Sequence, residues 1–323
     1  MASFSKISLS FQKKLEDGSP FPLVLVPAHG SLKDSGALAS ALRTEEQRLR
    51  LEEWLPKSGA ILLRGFEVWT AQELDSIIDA LGWEEYPYLE MGGSTNRKQM
   101  FGKVFTSNDL PRQYNIGYHN EAAYLEKPPA KIAFFAEKAP EPGTGGATPI
   151  VPGHVVYKRV LEKTHLAKQL LDKGRLVYRA FLDENAWKSR LSAGDKQSAE
   201  TNAVKKQLAI TWLPDGGMIL DSKLLGPLFR KDTAGRMAYF SSLGFFVEFR
   251  KTHKDSPRTA LEFEDGTLLE DQAGEELAEI MLEEEVAFPW EKGDILLVDN
   301  SAVLHSRQKS TSKEREILVS LAR

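Results

Sequence analysis

The sequence predicts an α+β chain: an antiparallel β-sandwich or barrel with helices packed outside it. Three observations point there. From residue 86 onward, short apolar runs alternate with turn residues. These runs lack the regular helix between strands that a parallel sheet needs. The chain has 323 residues, of which 41% are hydrophobic, enough to bury one substantial core. No internal period, low-complexity tract or Pro/Gly/Ser linker divides it. The expected organisation is therefore one domain over 1–323, with the strand-rich core at about 86–323, an N-terminal helix and strand region at 1–85, and a polar insertion at about 186–207.

Along the chain, "EEQRLRLEEWLPKSG" (45–59) reads as a helix ending near Pro56, and "AILLRGF" (60–66) as a short buried strand. Thr70 and Glu73 have capping-box spacing, and Leu74, Ile77, Ile78 and Leu81 form one apolar helical stripe that stops at Gly82. That stripe is core packing. "GKVFTS" (102–107), "KIAFFAE" (131–137) and "ATPIV" (147–151) read as strands. Residues 153–175 are helical in pattern, "LVYRAF" (176–181) is strand-like, and 186–207 is a polar stretch containing a helix. "AITWLPDGGMIL" (209–220) carries Pro-Asp-Gly-Gly, a hairpin signal. "MAYFSSLGFFVEF" (237–249) reads as a strand and 269–285 as a helix. "DILLVDN" (294–300) and "REILVSLA" (315–322) read as closing strands.

Composition narrows the function. A net charge of −4 offers no basic field to attract a phosphate backbone, which disfavours nucleic acid as a partner and favours a small-molecule enzyme. The chain has no cysteine, which excludes disulfides, thiolate ligands, iron–sulfur clusters and cysteine nucleophiles. Any metal must be held by histidine and oxygen. The N-terminus has no apolar signal region, and no run approaches the ~20 apolar residues that span a bilayer, so a cytoplasmic location is expected.

The stretch "GYHNEAAY" (117–124) places His119 and Glu121 two residues apart. Chance alone gives about one such pair in a chain with this many histidines and acids. A second pair, His253-Lys254-Asp255, sits in the charged loop "RKTHKDSPR" and reads as solvated. His119 and Glu121 instead lie between strand-like segments, where alternate residues share a face while Asn120 points away. A half-buried strand end with satisfied polar groups remains the competing reading. Among the other histidines, His29 sits in an Ala-Gly loop, and His154 and His165 occupy a polar helical stretch, so surface or capping roles are expected for all three. His305 comes after the apolar run of "EKGDILLVDNSAVLHSR" and is delivered just past its end.

Two histidines and one carboxylate leave three adjacent positions on an octahedral ion, the facial arrangement of non-haem Fe(II) oxygenases. A 2-oxo acid chelating there needs a cation for its far carboxylate, preferably a guanidinium. Arg315 opens the last strand ten residues after His305. A surface arginine is the alternative.

These residues resemble the Fe(II)/2-oxoglutarate-dependent dioxygenases of the taurine dioxygenase and clavaminate synthase type. The resemblance runs through "SGAILLRGF", "TSNDLP", "IGYHNEAAY", "FFAEKAPEPGTGGATPIV", "PWEKGDILLVDNSAVLHSR" and "REILVSLAR". It looks closest to the branch of plant clavaminate synthase-like proteins and bacterial amino-acid hydroxylases of nonribosomal peptide clusters. It implies a double-stranded β-helix (jelly-roll) core. His119, Glu121 and His305 match the iron ligands, and Thr148 and Arg315 match the pair that holds the far carboxylate of 2-oxoglutarate. The implied reaction consumes dioxygen, decarboxylates 2-oxoglutarate to succinate and CO2, and oxidises an unactivated C–H bond. Because related halogenases vacate the carboxylate position, Glu121 implies hydroxylation or desaturation.

Read without the resemblance, "GTGGAT" (143–148) is a tight glycine turn that lets Thr148 begin a strand with its hydroxyl available. Two segments depart from the family pattern: "SRQKSTSKE" (306–314) lacks the usual Pro, Phe and Gly, and "YFSS" (239–242) replaces an aromatic-Phe-Asn pattern. By analogy, Asn115 and the loop "GGSTNRK" (92–98) approach the substrate, which is expected to be small and polar, such as an amino acid, free or on a carrier protein. The rival readings are a zinc hydrolase, disfavoured by the absence of H-E-x-x-H, and a non-catalytic β-sandwich binding protein.

Overall fold

The computed structural model describes residues 4–87, 97–108, 110–171, 175–206, 208–222, 228–252, 259–263 and 265–323. Its largest sheet has eight strands in the order Phe4–Ile7, Leu23–Pro27, Ala60–Leu63, Ile295–Asp299, Lys131–Lys138, Glu316–Ala322, Val104–Thr106 and Gln99–Phe101. All neighbours are antiparallel except Leu23–Pro27 beside Ala60–Leu63.

The central strands are apolar throughout because both faces are covered. Ile61, Leu63, Ala133, Phe135, Ile295 and Leu297 point to one core, where Leu38, Leu42, Leu51, Leu74 and Ile77 of the N-terminal helices lie. Ala60, Leu62, Phe134, Leu296 and Val298 point the other way, into a second core. Residues 4–85 therefore do not form a separate region in front of a core that begins near 86. They supply three strands of the main sheet and the helices on its outer face.

The second core is closed by a three-stranded sheet in the order Ile150–Pro152, Val303–Arg307, Ile116–His119. Ile150 and Val303 face the large sheet, whereas Val151 and Leu304 face helices Gly153–Glu162, Thr164–Leu171 and Asp271–Glu284. A further four-stranded sheet, Leu208–Trp212, Met218–Ser222, Leu176–Leu182 and Thr259–Phe263, carries helices Glu184–Leu191 and Lys196–Lys205. Trp187, Leu191, Ala199 and Ala203 pack on Met218 and Leu220 in a small core of its own. The polar insertion is thus larger than 186–207. It holds two helices, and the strands flanking it belong to the same unit.

Several expectations meet the structure directly. The Thr70 capping box forms, with Glu73 N–H donating to Thr70 Oγ1 at 3.3 Å and Thr70 N–H donating to Glu73 Oε2 at 2.9 Å, an arrangement of about 1 kcal/mol. The helix from Glu45 runs past Pro56 to Ser58, because a proline in the last turn disturbs few remaining bonds and Gly59, at φ 75°, ends it. The stretch 237–249 is not one strand. Met237–Tyr239 is extended, the backbone turns at Ser241 and Ser242, and Leu243–Thr252 is helical. The Ser241 hydroxyl accepts from Leu243 N–H at 3.0 Å and supports that turn. Among the described residues, no helix is long and apolar enough to cross a membrane.

Candidate metal centre and co-substrate pocket

The strand Val303–Arg307 pairs with Ile116–His119 so that His305 lies directly opposite His119. Their ring centroids are 4.2 Å apart. His305 sits mid-strand, not beyond a strand end, because the chain turns at Asn300 and Ser301 and re-enters as a second strand. His119 ends its strand, Asn120 turns inward, and Glu121 returns to the face of His119 in a bend where Ala122 takes φ 50°. One ligand atom from each of His119, Glu121 and His305 lies within 4.8 Å of the others. Glu121 Oε2 is 3.8 Å from His305 Nε2.

The donor chemistry fits a divalent metal. His119 Nδ1 donates to the Gly117 carbonyl at 2.8 Å, which leaves Nε2 with its lone pair for an ion. Burial lowers the pKa of His119, and burial followed by the neighbouring His119 and Arg97 lowers that of His305 further, so both rings are neutral as ligands must be.

A buried amide pair fixes the backbone that carries the Glu121 carboxylate. Asn300 Oδ1 accepts from Glu121 N–H at 2.7 Å, and its Nδ2 donates to the Glu121 carbonyl at 3.0 Å and the Pro129 carbonyl at 2.7 Å. Asn120 Nδ2 donates to the carbonyls of Asn300 and Val303, while its Oδ1 accepts from Ser241 N–H at 2.9 Å. Both asparagines are 0% exposed.

The helix Leu243–Thr252 lies hard against this strand. A Cβ at Gly117 would meet the Gly244 carbonyl oxygen at 2.1 Å, so only glycine permits the approach. It brings Phe245 to 6.0 Å from the His119 ring.

Arg315 and Thr148 share a cavity of about 510 Å³ with His119, Glu121 and His305. Arg315 Nε donates to the Gly146 carbonyl at 2.7 Å and Nη2 to Thr148 Oγ1 at 3.5 Å. Trp290 Nε1 also donates to that oxygen, at 3.1 Å, which turns the hydroxyl hydrogen of Thr148 toward other acceptors. Gly146, at φ 83°, shows why the glycine turn is needed: a Cβ there would meet Arg315 Cδ at 2.8 Å. Burial lowers the Arg315 pKa to about 10, which leaves it cationic at neutral pH. Among the described residues no carboxylate pairs with it, so the pocket presents a buried guanidinium and a hydroxyl to an incoming carboxylate. The 2-oxo acid fits these residues.

Asn115, expected to approach the substrate, stays away from the cavity. It is exposed, its Nδ2 donates to Glu248 Oε1 at 3.1 Å, its Oδ1 accepts from Lys309 N–H at 2.8 Å, and it does not line the cavity. Its place four residues before His119 is used up in tying the strand to the 309 segment. Of "GGSTNRK", residues 92–96 lie outside the described residues, but Arg97 reaches the site: its Nη2 is 2.9 Å from Glu121 Oε1, and its side chain is 4% exposed. The His253 pair also lies outside the described residues. His29 is exposed beside Ser31 Oγ, and His165 is 3.3 Å from Glu270 Oε2. His154 is not at the surface: it is only 9% exposed, because the apolar face of its helix packs inward.

Sequence reasoning did not single out Trp290, Asn300, Arg307 or the Phe245, Phe246 and Phe249 group. Asn300 carried one signal, an asparagine inside an apolar strand pair. Arg307 donates to Asn108 Oδ1 and to the carbonyls of Leu110, Pro111 and Tyr114, so it fixes the loop over the cavity. Tyr118 donates to Glu285, and Tyr124 lines the cavity.

Comparison with known proteins agrees with this geometry. Residues 27–321 match the family model described as taurine catabolism dioxygenase TauD, TfdA family. A clavaminate synthase-like protein of Arabidopsis thaliana is 35% identical, over 97% of this chain and 96% of its own. The dapdiamide synthesis protein DdaC of Enterobacter agglomerans is 28% identical over 93% of each. Among solved structures, AAD-2 in complex with Mn(II) and N-oxalylglycine superposes with a TM-score of 0.54 at 14% identity, covering 96% of each chain. The triad, the arginine pocket and the near full-length match together place the chain in the TauD, TfdA family, as an iron- and 2-oxoglutarate-dependent oxygenase.

Proposed function

We propose that this oxygenase hydroxylates a small polar substrate, such as an amino acid, free or on a carrier protein, with His119, Glu121 and His305 as the iron ligands. The observation that carries the reading is the register that sets His305 against His119 with Glu121 in reach, in the same cavity as Arg315 and Thr148. The dapdiamide synthesis relative supports an amino-acid-derived substrate. On the same reading, the two facing sheets are the halves of a double-stranded β-helix, and the chain is one domain.

Bound iron supplies the activation of dioxygen and the oxidation of the C–H bond. The chain supplies the rest. Neutral His119 and His305 offer nitrogen lone pairs, and Glu121 offers a carboxylate whose backbone is fixed by Asn300. Arg315 and Thr148 take the far carboxylate of 2-oxoglutarate and set its direction. Phe245, beside the His119 ring, walls the cavity and keeps water from the reacting end. The filled carboxylate position is the reason to favour hydroxylation over halogenation.

The test has two stages. Anaerobic addition of Fe(II) and 2-oxoglutarate is expected to give the visible iron-to-oxoacid charge-transfer band; its absence sinks the reading. With oxygen admitted, a panel of amino acids is expected to contain members that stimulate succinate release.

A further inference from the structure

The cavity extends well beyond the metal centre. Its volume of about 510 Å³ lies in the range of ~300–1,000 Å³ that takes a drug-sized ligand. An aromatic wall leads away from the metal in contact steps: Phe245 is 6.0 Å from the His119 ring, Phe246 is 5.3 Å from Phe245, and Tyr178 stacks on Phe246 at 4.3 Å. Tyr178 belongs to the four-stranded unit, so the outer half of the cavity lies between that unit and the Leu243–Thr252 helix.

Strand alternation makes this half apolar. Along Leu176–Leu182, Tyr178, Ala180 and Leu182 face the cavity, while Arg179 turns to the other side and is neutralised there by Asp221 and Glu262. Charge enters at the rim. Arg190, in the last turn of Glu184–Leu191, and Lys206, which ends Lys196–Lys205, line the cavity and are exposed. Neither is ion-paired with a described residue, whereas Lys188 on the same helix as Arg190 is paired with Glu184. Glu121, at the metal, is the only acid among the described lining residues. Burial raises the pKa of Tyr178, and Thr259, Arg190 and Arg250 oppose it, so the Arg190 charge reaches the end of the aromatic wall. Cations at the rim of an apolar channel select a ligand with the complementary arrangement, an anion at the end of an apolar arm.

We infer that the outer half of the cavity is a second subsite, which takes the far end of the substrate: an apolar arm along the Phe246 and Tyr178 wall, ending in a carboxylate or phosphate held by Arg190 and Lys206. The inference rests on the oxygenase reading above and deepens it. The group that is oxidised is the size of an amino acid, but the whole substrate is longer. Arg190 and Lys206 are specificity-determining residues, remote from the metal.

The experiment uses the full chain loaded anaerobically with Fe(II) and 2-oxoglutarate, and matched anionic and neutral probes. One arm titrates dipeptides ending in Leu or Phe, as C-terminal acids and as amides. The other titrates aminoacyl thioesters of 4′-phosphopantetheine and of pantetheine, which lacks the phosphate. Binding is read from calorimetry and from the perturbation of the charge-transfer band. At least one anionic probe is expected to bind about fivefold or more tighter than its neutral partner at low salt, and the advantage is expected to shrink to about twofold or less in about 0.5 M NaCl, as contacts to exposed charges do. The arm that shows it identifies the anion. Replacing both cations, Arg190→Gln with Lys206→Gln, is expected to remove the preference, and Arg190→Glu with Lys206→Glu to reverse it, with the Fe(II) and 2-oxoglutarate band retained in each. If neither arm shows a preference, or if the preference survives in the Gln double variant, the inference is overturned. Loss of the band in that variant also overturns it, because the two residues would then act on the metal end through the fold. Absence of the band from the unaltered protein is a separate result, which removes the oxygenase reading itself.

Discussion

The two ends of the cavity are built in opposite ways. At the metal end, His119 and His305 face each other across paired strands, and the asparagines beneath them have their amides satisfied by backbone. At the outer end, the wall comes from the Leu243–Thr252 helix and the separate four-stranded unit, with aromatic and aliphatic side chains and two exposed cations. Strand register fixes positions to a fraction of an ångström, as chemistry at an ion requires. Side chains on a helix and a small satellite core can be exchanged with little effect on the sheets. The difference teaches that strand register holds the candidate metal site, whereas the outer wall is built from elements that lean on the sheets.

The comparison breaks most sharply at His305. His305→Ala is expected to abolish the anaerobic charge-transfer band and lower activity by at least about 10³-fold, with the fold intact by circular dichroism. Retention of the band would move the metal elsewhere.

Asn300→Ala tests whether the metal end depends on its buried amides. It leaves the Glu121 N–H and the Glu121 and Pro129 carbonyls without this partner. A loss of about 3 kcal/mol in urea unfolding is expected, together with weaker iron binding.

His154 lies outside both ends and supplies a control. Burial, followed by the nearby Arg236, holds its pKa down at about 4, so the folded protein resists its protonation. A lowered histidine pKa means stability that is full above the unfolded value of about 6.5 and is lost as pH falls toward 4. Comparing urea midpoints at pH 7.5 and 4.5, His154→Gln is expected to reduce the acid loss by at most about 3 kcal/mol without changing 2-oxoglutarate binding.

Arg315→Lys keeps the charge and removes the planar fork. The KM for 2-oxoglutarate is expected to rise about 30-fold while Fe(II) affinity stays the same, because Arg315 stands over Thr148 and is not one of the three proposed ligands. A matching fall in iron affinity would contradict the division of roles.

The smallest effect is expected at the outer end. Phe246→Ala should raise the KM for substrate about tenfold and leave the Fe(II) and 2-oxoglutarate band unchanged, since Phe246 stacks on Tyr178 and not on the ligands. Loss of the band would show that the two ends are one unit.

The same contrast explains what could be read in advance. Residues 131–137, 294–300 and 315–322 carried their strand assignment in unbroken apolar runs, because both faces of each are buried. His119, Glu121 and His305 were legible through residue type and spacing together with the family pattern. The helix at Leu243–Thr252 was not, because Phe245, Phe246 and Phe249 satisfy a strand or a helix pattern equally, and the close Gly117 and Gly244 contact decides it. Asn115 failed as a site residue because distance along the chain does not say which way a side chain turns.

By itself, the sequence determined the kind of chemistry available: no thiolates, a few histidines, a His-x-Glu pair, and one arginine opening the last strand. Only the tertiary structure decided that His305 stands opposite His119, that Gly146 is small so that Arg315 can lie over it, and that Arg97 shares the carboxylate of Glu121. The physical reason is that composition and periodicity are local. A site assembled from positions 97 to 315 exists only where antiparallel register and close backbone approach bring distant residues onto one face.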